Sequence, residues 1–87
     1  MTWAYLYFMK DDPARVREVA PHHAEYWRDN DSTERAGPFS DRSGGLIIFD
    51  VADEDAAGQM VADDPFQRAA LLEQWWLRAW EPTEDPG

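Results

Sequence analysis

Three extended segments of this chain are apolar on both faces, which limits the folds open to it. Successive side chains of a strand point to opposite sides. In TWAYLYFM (Thr2 to Met9), Trp3, Tyr5, Tyr7 and Met9 therefore face one way, and Ala4, Leu6 and Phe8 the other. GGLIIFDV (Gly44 to Val51) sets Leu46 and Ile48 against Ile47, Phe49 and Val51. EQWWLRAW (Glu73 to Trp80) sets Trp75 and Leu77 against Trp76 and Trp80. A sheet with one wet face would alternate apolar with polar residues. These segments do not, so both faces need cover.

Between the strands lie helical stretches with recognisable starts. Asp12 is placed to cap a helix whose first residue is Pro13. Val16, Val19, Ala20, Ala24 and Trp27 then recur with helical spacing to about Asn30. Pro21 lies inside that pattern and predicts either a kink or a fresh helical turn. TERAGPF (Thr33 to Phe39) reads as a short second strand. ADEDAAGQMVAD (Ala52 to Asp63) reads as a helix capped by Asp53, with Glu54 and Asp55 at its positive end. DDPF then starts a short helix, Asp64 capping and Pro65 in first position.

The order strand, helix, strand, strand, helix, strand is the split βαβ arrangement of a ferredoxin-like α+β domain with a four-stranded antiparallel sheet. Eighty-seven residues make one domain, expected over residues 1–82, with an acidic tail at 83–87 expected to be disordered. Two helices cover only one face of such a sheet. The apolar area left over exceeds the ~300–600 Å² that monomers leave bare. The expected cover is a second copy, sheet against sheet, in a homodimer.

Composition removes several classes of function. Eighteen acids against eight bases, a net charge of −10, argue against nucleic acid and anionic membrane surfaces. Without cysteine there are neither disulfides nor thiolate metal sites. The first strand is too short for a membrane span and lacks the flanks of a signal peptide, so the expected location is the cytoplasm.

The stretch RAGPFSDRSGGLIIFDV (Arg35 to Val51) raises the question of a phosphate-binding loop. Gly37 and Gly44 are seven apart, no lysine follows, Gly45 leads into a strand instead of a helix, and Asp41 would repel a phosphate. The expected role is a hairpin connection in which Gly44 and Gly45 supply positive φ angles.

GPF followed by D-R-S-G-G, an apolar strand, an acid-rich helix and ADDPF resembles the YCII-related (YciI-like, DGPF-domain) family. HAEYW (His23 to Trp27) is similar to its His-x-x-Tyr helix segment, and the W-x-P at Trp80 to Pro82 fits its end. The resemblance spans Trp3 to Pro82. It implies a ferredoxin-like fold that dimerises as an α+β barrel, and a proposed His–Asp active site whose positions here are His23 and Asp64. Two departures stand out: Ala20 replaces an arginine common three residues before the histidine, and AGPF replaces DGPF.

Among the residues themselves, His23 is the natural acid–base group, because imidazole titrates nearest neutrality. Its plain alternative is a half-buried helical histidine bonded to a backbone carbonyl. Asp64 would fix the imidazole tautomer if the first helix meets the DPF turn, yet Asp-Pro is also what helix capping alone selects. Tyr26, one turn from His23, with Gly37, Pro38, Phe39 and Arg42, are the candidate substrate-binding residues. Tyr5, Tyr7 and the tryptophans could line an aromatic pocket or, as is expected of most of them, form the dimer core. The adjacent His22 and His23 make a poor metal site, since neighbouring helical residues do not face one another, and Glu25 adds only a weak third ligand. No metal and no cofactor are expected. The expected function is cofactor-independent proton transfer, an elimination or isomerisation, on a small cyclic or aromatic molecule. The alternative is a non-catalytic dimeric ligand-binding or accessory domain.

Overall fold

A computed structural model describes residues 1–83; the expected tail lies, apart from Thr83, outside the described residues. The elements are β1 (Thr2–Met9), α1 (Pro13–Arg28), β2 (Thr33–Pro38), β3 (Gly44–Asp50), α2 (Glu54–Ala62), α3 (Pro65–Arg68) and β4 (Leu72–Ala79). The strands form one sheet in the order β2-β3-β1-β4, every neighbour antiparallel. This is the ferredoxin-like α+β topology. Among the described residues no helix is long and apolar enough to cross a membrane.

The caps fall where short side chains with oxygen acceptors precede the helices. Asp12, Asp53 and Asp64 each accept a backbone N–H from the first turn of α1, α2 and α3. Helix α1 runs through Pro21 without ending. Pro21 is exposed, so the carbonyl that its missing N–H leaves unpaired lies on the wet side, where water serves it. On the opposite side Val19, His23 and Trp27 form a stripe of buried residues spaced by four. His23 is in the core because its two helical neighbours are.

The core lies between the helices and one face of the sheet. Trp3, Tyr5 and Tyr7 from β1 and Ile47 and Phe49 from β3 meet Val19, Trp27, Ala57, Val61, Phe66 and Leu71. On the other face Leu6 stands opposite Leu46 and Trp76, and Ala4 opposite Ile48. Phe8 packs against Phe39 and Trp76, with ring centroids 5.5 and 5.9 Å apart. Within the single chain this second face stays partly open: Trp76 is 38 % and Trp80 47 % exposed.

The glycine turn closes differently from the expectation. Among the described residues no glycine has a positive φ; Arg42 takes the left-handed conformation instead, at φ 64°. The turn is held by Arg42 N–H to the Phe39 carbonyl (2.9 Å), Phe39 N–H to the Gly44 carbonyl (2.8 Å) and Ser43 N–H to Asp41 (2.9 Å). Gly44 and Gly45 are required for space. A Cβ on Gly44 would run into the Tyr7 carbonyl, and one on Gly45 into the Tyr7 hydroxyl and the Gly37 carbonyl. Gly45 is the cross-strand partner of Tyr7, and its bare backbone leaves room for the phenol.

Candidate active site

Four polar side chains meet inside the core, each delivered by a different local rule. Tyr5 and Tyr7 share a face of β1 because they are two residues apart. His23 comes from the buried stripe of α1, and Asp64 is the cap of α3. The cap leaves Asp64 with lone pairs to spare. One oxygen, Oδ1, accepts the Phe66 N–H (3.0 Å) and faces His23 Nδ1 at 2.7 Å; the other, Oδ2, accepts the Tyr5 hydroxyl at 2.9 Å. Capping and histidine orientation therefore coexist on one carboxylate. Asp64 is fully buried and His23 nearly so.

Hydrogen-bond accounting then fixes the imidazole. An ionised carboxylate only accepts, so His23 Nδ1 carries the hydrogen. In the neutral ring Nε2 is an acceptor, and the Tyr7 hydroxyl lies 3.0 Å from it, so Tyr7 donates. The imidazole plane stacks on Phe66, centroids 4.1 Å apart and tilted by 22°. Tyr5 also receives the Gln67 amide at 3.4 Å.

Burial, which disfavours the charged phenolate, pushes the Tyr5 and Tyr7 hydroxyls above the ordinary value of 10.0, and the Asp64 charge pushes both further. Burial followed by Asp63 and Asp64 raises Tyr26 as well. With the folded value above the unfolded one, this stabilisation is fully present below pH 10 and is lost as pH rises beyond it towards the folded values. Melting temperature is expected to hold up to about pH 10 and then fall, with Tyr5 and Tyr7 ionising only as the chain unfolds. Ionisation of Tyr5 or Tyr7 near pH 10 in the folded protein contradicts this.

His23 and Tyr7 form part of the wall of a cleft of about 640 Å³. Its other sides are the Val16, Ala20, Ala24 and Trp27 face of α1, the β2 segment through Gly37 and Pro38, Arg42 from the turn, and Phe66 from α3. The structure thus brings His23, Gly37, Pro38 and Arg42 to one cleft, with Asp64 fully buried behind His23. Tyr26 and Phe39 lie elsewhere, which corrects their expected placement. Tyr26 donates its hydroxyl to the Met60 carbonyl (2.8 Å), tying α1 to α2, and faces a shallow groove with His22 and Glu25. Its step of three from His23 carries it round the helix, off the stripe spaced by four. Phe39 follows β2 onto the opposite face of the sheet, against Phe8. Asp63 pairs with Arg68 at 2.7 Å on the surface. Among the described residues no group of three or more histidine, aspartate or glutamate side chains is placed to hold a metal.

Tyr5 and Tyr7, expected in a pocket or in the dimer core, lie instead in the helix-facing core, Tyr7 also lining the cleft, and Phe66 was not anticipated. The signal for the tyrosines was their spacing of two on a helix-facing strand. For Phe66 it was the DPF triplet, whose cap turns the aromatic ring inward.

A model of the YCII-related domain matches residues 3–81. Among solved structures, a 5-chloro-2-hydroxyhydroquinone dehydrochlorinase from Burkholderia phenoliruptrix AC1100, in complex with 2,5-dihydroxybenzoquinone, superposes with a TM-score of 0.83 at 19 % identity, covering 97 % of each chain. The cofactor-independent oxygenase SnoaB from Streptomyces nogalater gives 0.52 at 17 % identity over 98 % of this chain and 96 % of that one. Protein Atu4242 from Agrobacterium tumefaciens gives 0.59 at 14 % identity over 97 % and 95 %. At these identities the likeness is one of fold. No curated protein sequence matches the chain.

Proposed function

Since the chain belongs to the YCII-related family, we propose that it is a small-molecule enzyme performing acid–base chemistry, an elimination or isomerisation, on a cyclic or aromatic substrate. The observation that carries this reading is the 2.7 Å contact between Nδ1 of His23, which lines the cleft, and a fully buried carboxylate behind it. A cleft of this volume suits a ligand of one or two rings, and Trp27 and Phe66 give it aromatic walls. His23 is the proton acceptor of the site. Asp64 holds its tautomer and faces the imidazolium that forms with a full negative charge. In an elimination the electron pair freed by the substrate proton expels the leaving group. In an isomerisation the same proton returns at another ring position. Gly37, Pro38 and Arg42 border the bound molecule; Tyr26 and Phe39 are left out of the binding set.

A non-catalytic ligand-binding role is the second reading, favoured by one observation: both His23 nitrogens are already hydrogen-bonded. Chloride release from 5-chloro-2-hydroxyhydroquinone, the substrate class of the dehydrochlorinase above, separates the two. The wild-type protein is expected to release chloride, and His23→Gln to lose about 10²- to 10⁴-fold in rate while still binding 2,5-dihydroxybenzoquinone. Binding of that quinone without any chloride release by the wild type supports the second reading.

The working unit in this proposal is a homodimer joined through the open sheet face. Leu6, Phe8, Leu46, Trp76 and Trp80 would supply its apolar core, and a stable interface needs about 1,200 Å² or more in total. Sedimentation at micromolar concentration is expected to give twice the chain mass, and Trp76→Glu to return the monomer. A wild-type monomer under those conditions contradicts it.

A further inference from the structure

We propose that Tyr7 is the catalytic residue that meets the substrate, taking the substrate's proton on its phenolic oxygen as its own proton passes to His23 Nε2. This rests on the acid–base reading above and changes which atom performs the transfer.

Unused lone pairs single out Tyr7. His23 has none to offer: Nδ1 bonds Asp64, Nε2 is covered by Tyr7, and one ring face lies on Phe66. Tyr5 is spent as well, donating to Asp64 and accepting from Gln67. Tyr7 donates once, to His23, and among the described residues its oxygen accepts from nothing. It also lines the cleft, which Tyr5 does not. A substrate hydroxyl entering the cleft therefore finds its acceptor on Tyr7, with the imidazole one hydrogen bond behind.

The step balances without a further reactant. The substrate O–H or C–H bond breaks and a bond to the Tyr7 oxygen forms. The original Tyr7 O–H bond breaks and an Nε2–H bond forms on His23, so Tyr7 begins and ends as a neutral phenol. The freed electron pair expels the leaving group, and the imidazolium formed beside Asp64 returns its proton to solvent through the same phenol. Concerted transfer is needed, because burial and the Asp64 charge disfavour a free tyrosinate at this position. The bare backbone of Gly45 leaves the phenol the space it occupies beside Nε2. In this scheme His23 is the proton sink behind Tyr7, and Asp64 is a positioning residue that faces the imidazolium.

The test uses the chloride-release assay with three proteins: Tyr7→Phe, His23→Gln, and the full chain carrying a ring-fluorinated tyrosine at position 7. Tyr7→Phe keeps the ring and its packing. It is expected to lose about 10²- to 10⁴-fold in kcat, comparable with His23→Gln, with little change in KM. Fluorination acidifies the phenol without removing it, and is expected to move the pH profile of kcat. A Tyr7→Phe variant that keeps its kcat while His23→Gln loses it overturns this inference and leaves the acid–base reading standing. So does a pH profile that fluorination leaves unmoved. Absence of chloride release by the wild type overturns both.

Discussion

Asp64→Ala is expected to cost roughly 3–5 kcal/mol of folding stability, more than any other replacement of a single polar side chain in this protein. The carboxylate is fully buried and holds the Phe66 N–H, the Tyr5 hydroxyl and His23 Nδ1 together. Removing it strands three donors away from water, at about 1–3 kcal/mol for each one left unsatisfied. It also deletes the cap of α3, worth ~1 kcal/mol. These terms overlap and do not add in full. A small domain has about 5–15 kcal/mol in total, with short chains towards the lower end, so the variant should stand close to unfolding. Asp64→Asn retains an oxygen for Nδ1–H and the Phe66 N–H, and strands only the Tyr5 O–H, against which it turns an amide group. Its loss is expected to be nearer ~1–2 kcal/mol. Urea denaturation measures both; a loss below about 1 kcal/mol in the alanine variant contradicts the described network.

The second large effect is expected at the paired glycines. Gly44→Ala places a methyl group against the Tyr7 carbonyl, 2.8 Å from its carbon and 2.9 Å from Phe8 Cα. These are backbone atoms of the adjacent strand and cannot yield without separating β1 from β3, so the loss is expected to be roughly 3 kcal/mol or more. Gly45→Ala presses on the movable end of the Tyr7 side chain, but also on the Gly37 carbonyl at 2.7 Å. It should fold less stably and lose the Tyr7–His23 hydrogen bond, so its activity should fall with that of Tyr7→Phe. At Gly37 a Cβ meets nothing within 4 Å, and Gly37→Ala is the neutral control. Equal stability across the three variants contradicts the close-approach account.

How far such features can be read from sequence depends on how local their causes are. The strand order, the aspartate caps and the short DPF helix were legible because each follows from spacing or from a cap beside its helix. The two-faced strands were legible because period-two alternation needs no tertiary contact to be seen. The role of Gly44 and Gly45 was not: glycine serves either φ freedom or close approach, and only the register that puts Tyr7 opposite Gly45 decides between them. Arg42, not a glycine, bends the turn. For Tyr26, helical spacing narrowed the choice of face but could not weigh a step of three against a stripe set by Val19, His23 and Trp27. The union of His23 with Asp64, 41 residues apart, came from the family resemblance; nothing local in either segment encodes it.

The buried Asp64 carboxylate locks His23 with its hydrogen on Nδ1 and its lone pair on Nε2, aimed at Tyr7. Nitrogen-15 NMR of the histidine rings at mildly alkaline pH tests it without any ligand. His23 is expected to show a single tautomer protonated at Nδ1, with a slowly exchanging proton on that nitrogen that Asp64→Ala abolishes. A hydrogen on Nε2, or a ring that averages both tautomers as the exposed His22 should, contradicts the account.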